Sequence, residues 1–301
     1  MNEYLTKLLF FITEHTFKII IFIVLILSLI LGYHLLYNVR TQTAINKLES
    51  TFIENKDKLQ RDFCIGKYNN YTLADFYVLS SYSPVLTGFL KYDYVNIEMV
   101  QKVITNGARF IELDIITSEI KNNRYPVIAT GSEKDSIINS QNILDTKDVF
   151  QAISECIFSE KYIDNYRDPF VLFLNLKTDN IHALDILYSQ IINIFNHRLL
   201  GPKYNNQKVN IATTNMCDLM GKLILLSSDG YEQSKLKRII NLSTNNIHLN
   251  RVKYSELPKK DELVDVMNEP YIKLKSSKLN FATNIITILD TSNFLRSLLH
   301  N

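Results

Sequence analysis

The chain has 301 residues, with 33 Lys and Arg residues against 31 Asp and Glu residues and a formal net charge of +2 at pH 7. This length suits one domain of about 200 to 250 residues with an appendage, and the near balance of charge excludes the basic excess of proteins that wrap nucleic acid. The three cysteines, Cys64, Cys156 and Cys217, form neither a CxxC pair nor an even-numbered disulfide framework, so buried reduced thiols are expected.

An uninterrupted apolar stretch lies near the N-terminus. Residues 19–36, IIIFIVLILSLILGYHLL, carry no formal charge and lie between Lys18 and Arg40. A helix of this length rises about 27 Å, which is close to the hydrocarbon thickness of a bilayer. Acidic residues precede the stretch and no small-residue cleavage site follows it, which argues against a signal peptide. We therefore predict a transmembrane helix at 18–37 after an N-terminal flank at 1–17, and the balanced flanking charges leave its orientation open.

The remainder of the chain divides into a polar segment and an α/β domain. Residues 38–67 are polar with apolar residues at helical spacing, which indicates an amphipathic stalk or a helix on the headgroups. From 68 to 301, short apolar runs alternate with helical patterns, which predicts parallel strands with crossover helices in a barrel or an open sheet. The predicted strands are 76–79, 110–116, 126–129, 170–176, 222–226, 248–251 and 285–289. The predicted helices are 97–106, 145–158, 181–200 and 236–242.

Two acidic residues share one face of the predicted strand at 110–116. Because side chains alternate along a strand, Glu112 and Asp114 point to the same side, and Arg109 points to the other side, toward the helix layer. Neighbouring carboxylates repel one another unless a cation or hydrogen-bond donors hold them. The alternation is therefore compatible with a cation site and equally with two solvated acids on an amphipathic strand.

Four segments occur in an order that is typical of one enzyme family. They are SSYSPVLTG at 80–88, GARFIELD at 107–114, PVIATG at 126–131 and LMGKLI at 219–224. In this order they resemble the X-domain of phosphatidylinositol-specific phospholipase C, in a divergent form like that of some large DNA viruses. The resemblance implies a distorted TIM barrel with its site at the C-terminal ends of the strands.

The resemblance also implies a catalytic centre with two histidines for proton transfer and carboxylates that hold a calcium ion. Glu112 and Asp114 match the carboxylate pair and are the predicted metal ligands. Tyr82 and Thr130 stand where the family has its two histidines. Neither side chain titrates near neutral pH, and loss of one general acid or base typically costs about 10² to 10⁴ in rate.

Three further residues are predicted to line the ligand site. Ser83 replaces an asparagine of the family, and Asn175 replaces a carboxylate at the end of the strand at 170–176. Lys177 has the same parity as Asn175, so it is predicted to face the same barrel mouth, where a lysine neutralises a phosphate as a point charge. The segment 285–290 resembles the family's late strand and is followed by only eleven residues, so the barrel is expected to be shortened at its last unit or completed by another chain.

We therefore expect a single-pass membrane protein, in a host or virion membrane if it is viral. Its phospholipase C X-like barrel at 68–301 is expected to have lost catalysis and to bind a phosphoinositide-type headgroup or a phosphate, with Ca²⁺ as the candidate cofactor. One alternative is an active lipid phosphodiesterase in which a metal-bound water replaces the missing base. The other is a structural membrane or virion protein, since a fold does not imply a function.

Overall fold

The computed structural model describes residues 2–53, 71–73, 77–88, 92–120, 123–131, 138–164, 166–243, 251–253 and 286–290. The chain separates into two compact units, residues 1–43 and 44–301.

Helix α1 spans Asn2–Ile53 and contains the described residues of the first unit. Its apolar side chains are exposed along the predicted membrane segment, with Leu29 at 66%. Within the described residues, one helix is long and apolar enough to cross a membrane, with a candidate span at Lys18–Ser50 and a mean hydropathy of 2.8. A signal sequence near the N-terminus would pass the same test, so the boundaries at 18–37 and 38–67 stay predictions.

The second unit contains the last turns of α1 and all of the strands. Ile45 and Leu48 of α1 are buried in its main core. The strands are β1 Tyr77–Tyr82, β2 Phe110–Ile120, β3 Asn123–Ile128, β4 Leu144–Asp145, β5 Phe170–Leu176, β6 Leu223–Ser227, β7 Leu242–Ser243, β8 Arg251–Lys253 and β9 Ile286–Asp290. The other α-helices are α2 Ile97–Thr105, α3 Thr146–Ile157, α4 Ile181–Phe195 and α5 Met216–Leu219. Short 3₁₀ helices occur at Asn196–Arg198, Pro202–Gln207, Ile211–Thr213 and Lys235–Arg238.

The strands form one mixed sheet in the order β7-β6-β5-β2-β1-β9-β8, and β3 pairs with β2 and β4. The pairs β1–β2, β2–β5, β5–β6 and β6–β7 are parallel, so the predicted α/β class is confirmed. The pairs β2–β3, β1–β9 and β8–β9 are antiparallel, and the prediction of parallel strands was wrong there. Two residues separate β2 from β3, enough for a hairpin but too few for a crossover. The path of the described strands is open and does not close into a barrel.

Several predicted elements differ in extent from the observed ones, and β1 and β2 extend beyond their predicted ends at 79 and 116. Helix α4 ends at Phe195 because Asn196 has a φ of 31°, outside the helical region. The predicted helix at 236–242 was wrong, since the segment is a 3₁₀ turn followed by β7. There the side chains of Asn205 and Asn206 donate to the carbonyl oxygens of Arg238 and Lys237. In a longer helix, these carbonyl oxygens would instead accept from backbone N–H groups. Of the predicted strand at 248–251, only Arg251 lies among the described residues, where it begins β8.

Alternation along the strands separates two apolar layers. Ile111, Leu113 and Ile115 of β2 pack in the main core with α2, α3 and α4. Phe110 belongs to a second core with residues of β5 and β6, such as Phe173. Because Glu112 and Asp114 have the parity of Phe110, β2 presents them on this second face, as the alternation predicts.

Arg109 lies on the helix side of β2, as its parity predicts. It is buried, its Nη1 donates to the carbonyl oxygen of Ile157 at 2.7 Å, and its Nη2 donates to that of Asp168. Desolvation lowers the pKa of Arg109 to about 10, and the charge of Asp168 opposes this shift. The guanidinium therefore ties β2 to the end of α3 and to the segment before β5.

The cysteines that the structure describes differ in state. Cys156 on α3 is a buried free thiol. Burial is the main reason that its pKa rises to about 11, and the carboxylate of Glu155 adds to the shift. Cys217 is disulfide-bonded, so the expectation of a reduced thiol was wrong at this position, because sequence spacing does not reveal which cysteines meet in the fold.

Candidate functional site

The candidate site lies where the parallel strands β1 and β5 end on either side of β2, which continues to Ile120. β2 lies between β1 and β5, with Glu112 opposite Tyr82 of β1 and Asp114 opposite Asn175 of β5. Tyr82 is the last residue of β1 and Asn175 is the last but one of β5. Because the carboxyl ends of parallel strands meet at one edge of a sheet, this register brings four polar side chains together.

Hydrogen bonds join these four residues. Asn175 Nδ2 donates to Asp114 Oδ1 at 2.8 Å and to Glu112 Oε1 at 3.2 Å. Tyr82 Oη donates to Asp114 Oδ2 at 3.3 Å, which is long for a hydroxyl donor and therefore weak. One amide thus bridges both carboxylates, and a phenol contacts the second. We refer to Tyr82, Glu112, Asp114 and Asn175 as the carboxylate cluster.

The carboxylates of the cluster are almost closed to solvent. Glu112 is 4% exposed and Asp114 is 3% exposed. A buried carboxylate is stable only with hydrogen-bond donors or a cation close by. The donors from Asn175 and Tyr82 are neutral, so they offset the cost of burial without neutralising the charge.

Ser83 lies beside the cluster through its backbone. Its N–H donates to the carbonyl oxygen of Glu112 at 2.9 Å, which continues the pairing of β1 with β2 by one residue. Its φ of 45° is in the left-handed region, which is uncommon for a residue other than glycine and marks local strain. The structure thus brings Ser83 next to Glu112 as a turn residue, and its role as a ligand contact stays a prediction.

Thr130 lies two residues beyond β3, which pairs with β2 from Ile115 onward. It is buried, and its carbonyl oxygen accepts from the N–H of Asn139 at 2.7 Å. Within the described part of the chain, its Oγ1 forms no hydrogen bond. The structure therefore brings Thr130 to the same edge of the sheet without joining it to the cluster by a hydrogen bond.

Lys177 follows β5 directly. Its N–H donates to the carbonyl oxygen of Ile115 at 2.8 Å, which extends the β5–β2 pairing, and the residue is half-buried. Its role as a phosphate ligand stays a prediction.

Ser228 also lies at this edge of the sheet, and sequence reasoning did not single it out. Its Oγ accepts from the N–H of Leu176 at 2.7 Å and so connects the ends of β5 and β6. The signal was the polar run Ser227–Gly230 that follows an apolar strand.

The described histidines of the second unit do not belong to the cluster. His182 on α4 and His197 in the following 3₁₀ turn are both exposed. His15 and His34 belong to the part of α1 in the first unit. Within the described residues of the second unit, no imidazole therefore hydrogen-bonds to the cluster.

Within the described residues, the cluster supplies too few oxygen ligands for a calcium ion in this arrangement. Calcium takes six to eight oxygen ligands, and no group of three or more His, Cys, Asp or Glu among the described residues could hold a metal. Asn175 turns its nitrogen, not its oxygen, toward both carboxylates. With the opposite orientation of the amide, its oxygen would face two carboxylate oxygens and the two hydrogen bonds would be lost.

No protein-family model and no curated protein sequence matches the chain. Solved structures of phospholipases are similar to it. The crystal structure of L. pealei PLC21 is 21% identical over 54% of this chain and 19% of that chain, with a TM-score of 0.43. The calcium-dependent phosphoinositol-specific phospholipase C from Pseudomonas sp. is 14% identical over 60% of this chain and 68% of that chain, with a TM-score of 0.39. The phosphatidylinositol-specific phospholipase C from Listeria monocytogenes is 16% identical over 55% of each chain, with a TM-score of 0.35.

The chain spans about a fifth of the length of the PLC21 structures from L. pealei and S. officinalis. These phospholipases are proteins that the chain is similar to, and no assignment to their family follows from the superpositions.

Proposed function

We propose that the protein is a membrane-anchored, non-catalytic relative of the phospholipase C X-like phosphodiesterases that binds an inositol-type headgroup at the carboxylate cluster. The observation that carries the proposal is the amide of Asn175, which bridges Glu112 and Asp114. In the motif order described above, these are the positions of the family's metal-binding acids. A neutral donor at this point supplies hydrogen bonds to both acids, where a cation would otherwise offset the cost of their burial.

The absence of catalysis in this proposal rests on the residues at the two histidine positions. Tyr82 offers a phenol in place of an imidazole, and its hydroxyl donates to Asp114. Thr130 has no group that titrates near neutral pH. Each lost proton-transfer group costs about 10² to 10⁴ in rate, so loss of both leaves little activity.

Headgroup binding rests on the chemistry of the cluster. Carboxylate oxygens accept strong hydrogen bonds from the hydroxyls of a polyol ring. Lys177, which follows the same edge of the sheet, supplies a positive charge suited to a phosphate on that ring. The exposed apolar face of α1 supports the membrane anchor, because such a surface is costly in water.

The test uses the full chain in nonionic detergent with Glu112→Gln as the control. No calcium-stimulated cleavage of phosphatidylinositol above the level of Glu112→Gln is expected. Calorimetric titration with inositol 1-phosphate is expected to give heat that Glu112→Gln loses. Cleavage that depends on Glu112 would instead support the alternative of an active metal-dependent phosphodiesterase.

The burial of the cluster favours a second candidate function, that of a structural membrane protein. With Glu112 and Asp114 exposed by only 4% and 3%, the cluster also serves as a polar tie between β1, β2 and β5. In that case inositol 1-phosphate gives no heat, yet removal of the Asn175 amide still destabilises the fold.

A further inference from the structure

A cleft of about 360 Å³ lies at the opposite ends of β5 and β6 from the carboxylate cluster. Its walls come from the residue after α3, the segment before β5, the 3₁₀ turn after α4 and the turn before β6. The residues that determine its chemistry are Phe158, Tyr166, Arg167, Arg198, Met220 and Gly221. We call it the arginine cleft. Among the described residues, its lining combines two guanidinium groups with apolar walls and the disulfide-bonded Cys217, and none of these residues is a carboxylate.

Arg198 is held over one wall of the cleft. Its Cζ lies 4.9 Å from the centroid of the Phe158 ring, a distance at which a cation and a ring attract one another. Gly221 has a φ of +66°, and a Cβ at this position would lie 3.4 Å from Arg198 Nη1. The glycine therefore permits both the turn and the close approach of the guanidinium. Within the described residues, Arg198 forms no ion pair.

Arg167 is fixed on the adjacent wall. Its Nε donates to Tyr166 Oη at 3.0 Å, and its Cζ lies 5.3 Å from the centroid of the Tyr166 ring. Its carbonyl oxygen accepts from the N–H of Gly221 at 2.7 Å. This backbone bond connects the segment before β5 to the turn that supports Arg198, so both arginines belong to one ordered frame.

A second cation faces the ring that Arg198 covers. Arg109 has its Cζ 5.7 Å from the centroid of Phe158 and 5.2 Å from that of Phe170. Its guanidinium is buried and donates from both Nη atoms to backbone carbonyl oxygens, so it faces the interior of the protein. Arg198, at the cleft, is the guanidinium of this pair that is placed to receive an anion from solvent.

We propose that the arginine cleft binds a small organic anion in which a phosphate group is carried on a planar apolar body. A guanidinium binds phosphate oxygens through two parallel hydrogen bonds. Phe158, Tyr166 and Met220 supply the apolar surface for the body of the ligand, and the volume is within the range of small-molecule pockets. The proposal does not depend on the carboxylate cluster or on its headgroup.

The experiment is calorimetric titration of the full chain in nonionic detergent with phenyl phosphate, inorganic phosphate and phenol as probes. Phenyl phosphate is expected to bind more tightly than either fragment. Arg198→Gln is expected to weaken it by about tenfold or more, as for loss of charge-assisted hydrogen bonds. Arg198→Lys keeps the charge without the planar fork, so an intermediate loss is expected. Arg238→Gln, which changes an exposed arginine outside the cleft, is expected to have no effect.

Thermal unfolding of each variant verifies that it is folded, and Arg167→Gln provides a second variant with the same expected direction. Equal affinity of the wild type and Arg198→Gln for phenyl phosphate would overturn the proposal. So would an equal loss in Arg238→Gln, which would indicate unspecific charge attraction. Tighter binding of inorganic phosphate than of phenyl phosphate would overturn the assignment of an apolar body.

Discussion

Asn175 on β5 lies directly opposite Asp114 on β2, and its Nδ2 donates to Asp114 Oδ1 at 2.8 Å. The two residues are 61 positions apart in the chain. Because the same amide also reaches Glu112, one neutral side chain satisfies an oxygen on each of two buried acids. The stability of this edge of the sheet therefore depends on an amide at position 175.

Asn175→Ala is expected to lower the free energy of unfolding by about 3 kcal/mol. The change removes the two hydrogen bonds that Asn175 donates to buried carboxylates, which costs more than the loss of an exposed bond. Denaturant unfolding of the full chain in detergent measures the difference. Asn193→Ala, on the exposed side of α4, is the matched control and is expected to change stability by less than about 0.5 kcal/mol. Equal effects of the two changes would contradict a bridging role for Asn175.

Asn175→Asp is expected to create a dependence on calcium that the wild type lacks. A third carboxylate replaces the bridging donor, so repulsion lowers the thermal midpoint in EDTA, and a cation with oxygen preference relieves it. Lower pH is expected to relieve it as well, because protonation of one acid removes a charge. Thermal unfolding in EDTA and in calcium measures the shift. If calcium raises the midpoint of the wild type as much as that of the variant, the cation-free description of the cluster is wrong.

The sequence predicted the position of the acids but not what holds them. Alternation alone put Glu112 and Asp114 on one face of β2, and the apolar run at 170–176 gave the bounds of β5. The partner of the acids depends on the register between strands far apart in the chain, which no local pattern determines. The orientation of the Asn175 amide depends in turn on which groups surround it.

The antiparallel course of β3 was also missed, although a local signal existed. Two polar residues separate Ile120 from Asn123, and a connection of this length favours a hairpin over a crossover. The alternation of strand and helix elsewhere led to a uniform prediction of parallel pairing. Connection length was the better guide at this point.

Arg109→Met is expected to destabilise the protein by about 3 kcal/mol, although the two side chains have similar apolar length. The change leaves the buried carboxylate of Asp168 without the cation beside it, and it removes the donors to two backbone carbonyl oxygens. Arg238→Met, at an exposed position, controls for the loss of a positive charge. Unfolding free energies of the two variants provide the comparison, and a cost below about 1 kcal/mol for Arg109→Met would contradict this structural role.

Above pH 9, the ionisation of Cys156 is expected to lower the free energy of unfolding. Burial raises its pKa from 9.0 to about 11 in the folded protein. Between these values the unfolded chain releases the thiol proton while the folded chain retains it, so the unfolded state is favoured as the pH rises. The unfolding free energy of the wild type is expected to fall more steeply than that of Cys156→Val over this interval. Parallel pH profiles for the two proteins would contradict the shift.

The apolar segment of α1 is expected to fail as an anchor when two charges are placed in it. Leu25 and Leu29 are exposed on the helix, and an arginine near the centre of a spanning helix costs about 2.5 to 3.5 kcal/mol on insertion scales. We expect Leu25→Arg with Leu29→Arg to lose resistance to alkaline extraction from membranes. The matched control is Gln42→Arg with Asn46→Arg. These two positions lie beyond the predicted span at 18–37 but inside the candidate span Lys18–Ser50. Retention of the control variant favours the shorter span, whereas its release favours the longer one. An epitope at the N-terminus distinguishes an anchor, which keeps the epitope, from a signal sequence, whose cleavage removes it. Loss of the epitope from the wild-type chain would overturn the assignment of an anchor.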